Sequence, residues 1–290
     1  MAPTPSGAPV DRFPASVSKP AFPWLLTGAF LLTLGASLRL AEVDPGKLLD
    51  PDALGNVARF ARESVPPDLT PHFLGLMLRP LVETVQISVM GTVIAVLIGL
   101  PLGLLATSSL TWSGILHERQ TRWGRVLLGL MPYAVSRAVL SAFRSIPEYV
   151  WAFMFVRAVG LGPFPGVLAI GVAYGGILGK VYSEILENVD PRPLEALHAQ
   201  GASKAGIVLY GVLPQTVPLF VSYTLYRWEC AIRASAILGF VGAGGLGQQV
   251  ELSMRMFQFN EVLTLLMLLF ALVAAVDFVS ARLRGRIARP

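Results

Sequence analysis

Residues 190–214 read DPRPLEALHAQGASKAGIVLYGVLP and lie between two long apolar runs. Asp190 is a good helix N-cap, and the proline after it suits the first turn of a helix. The sequence therefore predicts a helix that starts here and holds Glu195 in its first turn, where the carboxylate favours the helix dipole. Gly201 ends this helix, because glycine tolerates the left-handed conformation.

The second half of this stretch predicts another short helix. Ser203 is placed to cap it, and the helix is expected to run to residue 209 or 210. Pro214 marks the entry into the next apolar run. Residues 190–214, called the hairpin segment below, are thus predicted to form a polar helical hairpin that joins two membrane segments. An ordinary amphipathic cytoplasmic hairpin would have the same local signals.

The composition places the chain in a membrane. Of its 290 residues, 54% are hydrophobic and 14% are charged, whereas soluble domains carry about 25% charged residues. The formal net charge is +5. No basic face with interleaved aromatic residues is present, so the sequence does not favour a nucleic-acid partner. The excess of basic residues instead fits the signals that orient membrane proteins.

Cysteine and histidine give no metal-binding pattern. Cys230 is the single cysteine and lies in an apolar run, which predicts a packing role. His72, His117 and His198 are scattered along the chain. We therefore expect no metal and no cofactor bound by this chain.

Apolar runs of about 20 residues predict six membrane spans. They cover residues 24–41, 81–106, 126–159, 167–185, 217–238 and 262–280. Pro101 is expected to kink the second span. The third run is too long for one simple span, and residues 144–148 interrupt it. It is predicted as a helix over residues 126–143, partly at the interface, followed by a helix over residues 147–159.

Four segments follow from this pattern. Residues 1–20 are predicted to be a disordered cytoplasmic tail. Residues 21–79 are predicted to form an N-terminal span followed by an external loop, and this loop is expected to hold a short helix near residues 54–63. Residues 80–282 are predicted to form the membrane domain, and residues 283–290 a basic cytoplasmic tail. The first run exceeds the apolar part of a typical signal peptide, so we expect an uncleaved span. The positive-inside rule places both termini in the cytoplasm.

The hairpin segment resembles the EAA loop of importer-type ABC permeases. The pattern of that loop is Glu-Ala-Ala, three residues, Gly, nine residues, and then Ile-x-Leu-Pro. The spacing fits throughout, and two positions depart: Leu197 replaces the second Ala and Gly211 replaces the Ile. The resemblance implies that this segment receives force from a cytoplasmic ATPase. It assigns the coupling role to Glu195, Ala196, Gly201, Ala202, Leu213 and Pro214.

Further motifs are similar to the permease subunit of phosphonate ABC importers. They are Arg-Ser-Ile-Pro-Glu at 144–148, Val-Gly-Leu-Gly-Pro at 159–163, Tyr-Thr-Leu-Tyr-Arg at 223–227 and the glycine-rich run at 237–247. Methionine-importer permeases share the Arg-Ser-Ile-Pro and Gly-Ala-Gly-Gly-Leu-Gly pieces. The resemblance covers roughly residues 80–282. It implies an all-α importer permease of the type I fold, with a five-helix core and one added N-terminal helix.

This resemblance implies the partners and the substrate class. Two copies would form the path, since no internal repeat supplies a second half. Two ATPase subunits would hydrolyse ATP, because the chain lacks the phosphate-binding loop GxxxxGK[ST]. A periplasmic binding protein would deliver a phosphonate or a similar oxyanion, such as phosphite or phosphate. The expected location is the bacterial inner membrane.

Three alternatives stay open. Within transport, the substrate could be methionine, taurine or glycine betaine. A secondary transporter is disfavoured by the EAA-like loop and by the absence of inverted repeats. A membrane enzyme is disfavoured because no catalytic set of side chains is evident.

A glycine-rich stretch matches the GxGxxG pattern at Gly242, Gly244 and Gly247, and also contains Gly245. Dinucleotide binding requires a strand before this pattern and a βαβ context, whereas here it joins two membrane segments. We therefore expect an external turn, in which the glycines allow close packing where two copies and a binding protein meet.

Charges inside the apolar runs are candidates for a translocation path. They are Arg144, Glu148, Arg227, Glu229 and Arg233. Glu229 and Arg233 are four residues apart, which predicts an ion pair within one helix. Arg227 lies on another side of that helix and is expected to meet Glu148, Glu83 or an anion. The charges are either a polar lining for the substrate or a structural network that fixes helix register.

Overall fold

The computed structural model describes residues 23–41, 46, 50–108 and 129–287, and every regular element within them is helical. The predicted all-α fold class is therefore confirmed for this part of the chain. Several predicted features lie wholly or partly outside it: the tail of residues 1–20, parts of the segment of residues 21–79, the start of the helix over residues 126–143, and the end of the C-terminal tail at residues 288–290.

Two compact units make up the chain, one up to Arg59 and one from Phe60 onward. The first unit holds helix α1 (Pro23–Leu40), which is apolar but has only 18 residues. Helix α2 (Pro51–Ser64) begins in this unit and continues into the second. It confirms the short helix predicted near residues 54–63.

The second unit is a bundle of helices joined by short connections. Its helices are α3 (Pro71–Leu105), α4 (Met131–Ser145), α5 (Glu148–Val159), α6 (Pro163–Glu187), α7 (Pro191–Ala199), α8 (Lys204–Ile207), α9 (Leu213–Gly239), α10 (Gly245–Arg255) and α11 (Phe259–Ile287).

Four of the described helices are long and apolar enough to cross a membrane: α3, α6, the continuous helix Lys204–Gly239, and α11. The six predicted spans also counted α1, a shorter apolar helix, and the pair α4 and α5, each of which is short. Helix α3 starts at Pro71, so the end of the predicted external loop belongs to this helix. The expected boundary at residues 79 and 80 lies inside α3.

The break between α4 and α5 is a local effect of Pro147. A residue before proline is pushed out of the helical region, and Ile146 is extended (φ −96°, ψ 122°). The indole N–H of Trp151 donates to the carbonyl oxygen of Phe143 at 3.2 Å. This bond satisfies one of the carbonyl groups that the end of α4 leaves without an intrahelical donor. The predicted interruption at residues 144–148 is therefore confirmed.

Helices α3 and α6 pack closely at the centre of the second unit. A side chain on Gly99 would lie 2.9 Å from the backbone nitrogen of Gly179, and one on Gly103 would lie 2.8 Å from its carbonyl oxygen. Small residues allow such close approach of membrane helices. Ile87, Ile170 and Leu178 are fully buried around this contact. The α3–α6 pair is therefore the frame on which the other helices of this unit pack.

A second buried cluster joins α3, α10 and α11. Its members are apolar and nearly inaccessible: Phe73, Met77, Leu246, Val250, Val262 and Leu265. The cluster fixes α10, which follows the glycine-rich turn, against the first turns of α3.

Candidate functional site

The hairpin segment folds largely as its sequence predicts. Asp190 caps α7, and its carboxylate accepts from the backbone N–H of Arg192 at 3.0 Å. Ser203 caps α8 by accepting from the N–H of Gly206 at 3.2 Å. One detail is wrong: Glu195 lies beyond the first turn of α7, because the helix starts at Pro191.

The turn between α7 and α8 depends on Gly201. Its φ is +79°, the left-handed region that glycine adopts without steric cost. The N–H groups of Gly201 and Ala202 donate to the carbonyls of His198 and Leu197 at 2.9 and 3.0 Å, which closes the end of α7. The predicted left-handed helix end is confirmed.

The second helix of the segment does not stop at residue 209 or 210 as expected. A π-helical turn over Val208–Val212 joins α8 directly to α9. Any movement of α8 should therefore move the first turn of α9 with it. The local sequence did not predict this continuity, since Pro214 suggested a new start. Proline is tolerated in the first turn of a helix, and Pro214 occupies that place in α9.

The two residues that depart from the EAA pattern, Leu197 and Gly211, lie in contact with each other. A side chain on Gly211 would lie 3.2 Å from Cδ1 of Leu197 and 2.5 Å from Cδ2 of Leu194. A large residue in α7 thus occupies the space that a large residue at position 211 would fill. Leu194 and Leu197 face the π-helical turn, whereas Glu195 and Ala196 are exposed on the other side of α7.

We expect these two departures to compensate each other. Gly211→Ile alone should destabilise the protein by about 1–3 kcal/mol through overpacking. Leu197→Ala alone should cost about 1–3 kcal/mol, because Leu197 is only half-buried. The double variant should lose less than the sum of the two single losses, although the new side chain at position 211 still meets Leu194. Thermal unfolding of the purified protein measures all three. Additive losses in the double variant would contradict the contact.

A polar bridge also fixes the hairpin segment to α9. The N–H of Asp190 donates to Oε1 of Gln215 at 3.2 Å, and Nε2 of Gln215 donates to the carbonyl oxygen of Gly211 at 2.8 Å. Both ends of α7 are therefore held by α9 or by the turn that precedes it. The exposed face of α7 is presented on a fixed base.

Sequence reasoning missed a cluster directly before the hairpin segment. Arg137 in α4 donates to both carboxylate oxygens of Glu187 at 2.9 and 3.0 Å, and its Nε donates to the carbonyl oxygen of Ala106. The N–H and hydroxyl of Ser108 donate to the same carboxylate at 2.9 Å. This cluster ties together the ends of α3 and α6 and the middle of α4. Arg137 and Glu187 are 50 residues apart, so no local spacing could reveal it.

The glycine-rich turn is built by contacts within the chain. Gly242, Gly244 and Gly245 have φ values of +91°, +81° and +72°. A side chain on Gly247 would lie 1.8 Å from the carbonyl oxygen of Ala236 in α9. The hydroxyl oxygen of Thr84 accepts from the N–H of Leu246 at 2.9 Å. The sharp turn that the sequence predicts is confirmed, and the close packing joins α9 and α10 of the same chain.

The predicted ion pair between Glu229 and Arg233 is wrong. Glu229 pairs with Arg284 of α11 at 2.7 Å, and Arg233 pairs with Asp277 of α11 at 3.5 Å. Both charges lie where α9 packs against α11, which offers each of them an opposite charge. Two pairs between helices therefore replace the single pair within α9.

Arg227 is held by tyrosines. Its Nε and Nη2 donate to the hydroxyl oxygen of Tyr223 at 3.0 and 2.8 Å. Its guanidinium carbon lies 5.9, 5.3 and 5.7 Å from the ring centroids of Tyr174, Tyr223 and Tyr226. Glu83, one expected partner, pairs with Arg79 instead. Among the described residues, no carboxylate lies within ion-pair distance of Arg227.

Arg144 and Glu148 lie at the break between α4 and α5. Arg144 is in the last turn of α4 and is exposed, and Glu148 is the first residue of α5. The structure divides the predicted path charges among different surroundings. Arg227 lies over the ring of Tyr174, Glu229 and Arg233 pair with α11, and Arg144 lies on an exposed turn.

Comparison with known proteins shows where this architecture recurs. The family model described as "Binding-protein-dependent transport system inner membrane component" matches residues 123–289. The phosphite transport system permease protein PtxC of Stutzerimonas stutzeri is 38% identical over 233 residues, which are 80% of this chain and 78% of that protein. The phosphate-import permease protein PhnE of Mycolicibacterium smegmatis is 31% identical over 80% of this chain and 40% of that protein.

A solved structure shares the fold. An inward-facing structure of the MetNI methionine ABC transporter contains a chain that superposes with a TM-score of 0.62 at 25% identity, over 76% of this chain and 100% of that chain. The expected core of the methionine-importer type is therefore confirmed. With its long apolar helices, the protein is a multi-pass membrane protein, and it belongs to the family of inner membrane components of binding-protein-dependent transport systems.

Proposed function

We propose that the protein is the permease subunit of an ATP-driven importer, in which two copies form the path for a phosphorus oxyanion. The observation that carries the proposal is the exposed helix α7. It is capped at Asp190, ended by Gly201, and fixed to α9 through Leu194, Leu197 and Gly211. Helix α7 is exposed, and it packs against the turn that leads into a membrane helix. Such a helix is suited to transmit movement from a cytoplasmic partner.

Two ATPase subunits are the proposed partners of this helix, one on each copy of the permease. Glu195 and Ala196 lie on its exposed face and would meet the ATPase. Closure of the ATPases around ATP would move α7, and the contact with Gly211 would pass the movement to α9. The cluster of Arg137 and Glu187 would pass it to α3 and α4, because Glu187 ends α6 just before the hairpin segment.

The proposed topology follows the expected segments. Residues 1–20 and the residues after α11 would be cytoplasmic tails, and residues 21–79 would hold the N-terminal helix and an external loop. The expected start of the C-terminal tail at residue 283 lies inside α11, which runs to Ile287. Residues 80–282, together with the start of α3, would be the permease domain. The turn of Gly242, Gly244, Gly245 and Gly247 would lie outside, where a periplasmic binding protein docks. This arrangement follows from the positive-inside rule.

Phosphite, phosphate or a phosphonate is the proposed substrate. The relatives named for phosphite and phosphate support this class, and one of them aligns with most of its length. Among the alternatives of methionine, taurine and glycine betaine, the methionine transporter supports methionine alone, at 25% identity. The binding protein would make the final choice among the oxyanions. The permease itself would carry out no chemistry.

The proposed function is tested with the permease, its ATPase and its binding protein in proteoliposomes. Uptake of radiolabelled phosphite should require ATP and the binding protein, and excess methionine should not compete. Gly201→Val should leave the chain inserted but strongly reduce ATPase stimulation, because a β-branched residue with positive φ costs about 1 kcal/mol or more. Glu195→Lys should weaken ATPase docking.

Gly206→Ala provides the matched control. Gly206 lies in the same segment, but its backbone is helical and its φ is not positive. This variant should behave like the parent in uptake and in recovery of the complex. Normal transport and normal complex recovery in both Gly201→Val and Glu195→Lys would remove the coupling role of the hairpin segment.

A further inference from the structure

Arg227 is a charged group in a membrane helix, and no carboxylate of the described residues lies within ion-pair distance of it. Glu229, Arg233, Asp277 and Arg284 form two ion pairs between α9 and α11. In the described part of the chain, the partners of Arg227 are a hydroxyl group and aromatic rings. Ionisable groups in membrane spans are costly, and they often mark the path of a substrate or an ion.

The guanidinium of Arg227 still has hydrogen-bonding capacity. It carries five N–H donors, and those on Nε and Nη2 that reach Tyr223 leave others for a ligand. Guanidinium groups bind phosphorus oxyanions by parallel, charge-assisted hydrogen bonds. The three tyrosine rings hold the guanidinium in place, so that little side-chain freedom would be lost on binding.

A cleft is lined by two of these tyrosines, Tyr223 and Tyr226, and Arg227 lies behind them. Its other lining residues are Ser222, Arg284 and three apolar side chains, Val181, Ile185 and Leu219, and its volume is about 460 Å³. This volume exceeds that of a small tetrahedral oxyanion, so the ion could enter with part of its water. Arg284 is held by Glu229, which leaves Arg227 as the stronger anion-binding group.

The face of α9 that lines the cleft carries Ser222, Tyr223 and Tyr226 beside the apolar Leu219. Ser222 and Tyr226 are four residues apart and share one face of the helix, and Tyr226 is 45% exposed in the single chain. If this face of α9 met lipid tails, the hydroxyl groups of Ser222 and Tyr226 would lack hydrogen-bond partners from outside the helix. A water-filled path between two copies would satisfy them.

We propose that Arg227, with the hydroxyls of Tyr223 and Tyr226 and with Arg284 across the cleft, forms a binding site for a phosphorus oxyanion inside the membrane domain. The proposal rests on the proposed function and adds that the permease contacts the substrate itself.

Uptake by the complete transporter tests this site first. Arg227→Gln should lower phosphite uptake at least about tenfold at low phosphite, the loss expected for one charge-assisted hydrogen bond. Stimulation of the ATPase by the loaded binding protein should persist. Arg227→Lys, which keeps the charge, should recover part of the uptake. Arg157→Gln removes an exposed arginine of α5 and should match the parent.

Two negative results have different meanings in this experiment. A parent transporter that takes up no phosphite overturns the proposed function. A parent that transports, with Arg227→Gln equal to it, overturns the site and leaves the proposed function standing.

Thiol labelling tests binding independently of transport and of Arg227. Ser222→Cys in a Cys230→Ala background carries one thiol in the cleft, because Cys230 is the single natural cysteine. In detergent free of phospholipid, phosphite should slow its reaction with a water-soluble thiol reagent, and added Arg227→Gln should abolish the protection. Labelling that phosphite does not change would overturn the proposal. Protection by phosphatidylglycerol and not by phosphite would assign the cleft to a lipid headgroup and would also overturn it.

Discussion

Gly247→Ala should prevent recovery of folded protein. The added methyl group would lie 1.8 Å from the carbonyl oxygen of Ala236 and 2.7 Å from its carbonyl carbon. Both atoms belong to the backbone of α9, so no side-chain rotation can relieve the clash. Helices α9 and α10 would have to separate, and the cost should reach or exceed the roughly 3 kcal/mol at the upper end of typical overpacking.

Gly75→Ala is the control for this variant. Gly75 lies in α3 with no heavy atom near the position of the added carbon. The substitution should stabilise the helix by about 0.5–1 kcal/mol. Size-exclusion profiles and thermal unfolding in detergent compare the two variants with the parent. A melting temperature of Gly247→Ala within about 2 °C of the parent would contradict the close contact of α9 and α10.

Glu229→Gln should destabilise the protein by about 3 kcal/mol, because it leaves the charge of Arg284 without its partner. Glu229 is 7% exposed and its carboxylate lies 2.7 Å from Arg284. Arg284 is more exposed, which puts the expected loss at the low end of the range for buried pairs. Arg284→Gln should produce a loss of similar size.

A double-mutant cycle identifies the true partner of Glu229. Glu229→Gln combined with Arg284→Gln should recover at least half of the stability lost by either single change. Glu229→Gln combined with Arg233→Gln should recover nothing, since Arg233 pairs with Asp277. Thermal unfolding measures both cycles. If stability recovers in the double variant with Arg233→Gln and not in the one with Arg284→Gln, then Glu229 pairs with Arg233 within α9, as the sequence predicted.

The failure of that prediction has a simple physical cause. A spacing of four residues places Glu229 and Arg233 on one side of α9, and this inference was sound. The spacing does not reveal which residues of another helix face that side. Helix α11 runs antiparallel to α9 and offers Asp277 and Arg284 at matching heights. Each charge then gains a partner of its own, which neutralises four charges instead of two.

Local chemistry determined the hairpin segment to a large extent. Asp190 and Ser203 cap their helices as expected, and Gly201 takes the left-handed conformation. Pro147 separates α4 from α5 in the same way. These features depend on interactions over a few residues, so the sequence around each of them contains the information. The roles of these residues in coupling and transport stay predictions.

The sequence by itself determined that the chain is helical and membrane-embedded, and it located the break at Pro147 and the caps of the hairpin segment. Apolar length and local capping decide these properties, because a buried backbone must bond within its own helix. The sequence misplaced the start of α3 by ten residues and missed the continuity of α8 with α9. The tertiary structure alone decided that Leu197 fills the space beside Gly211, that Arg137 reaches Glu187, and that Arg227 faces tyrosines. Such contacts join residues that are distant in sequence, and they follow from how whole helices pack against one another.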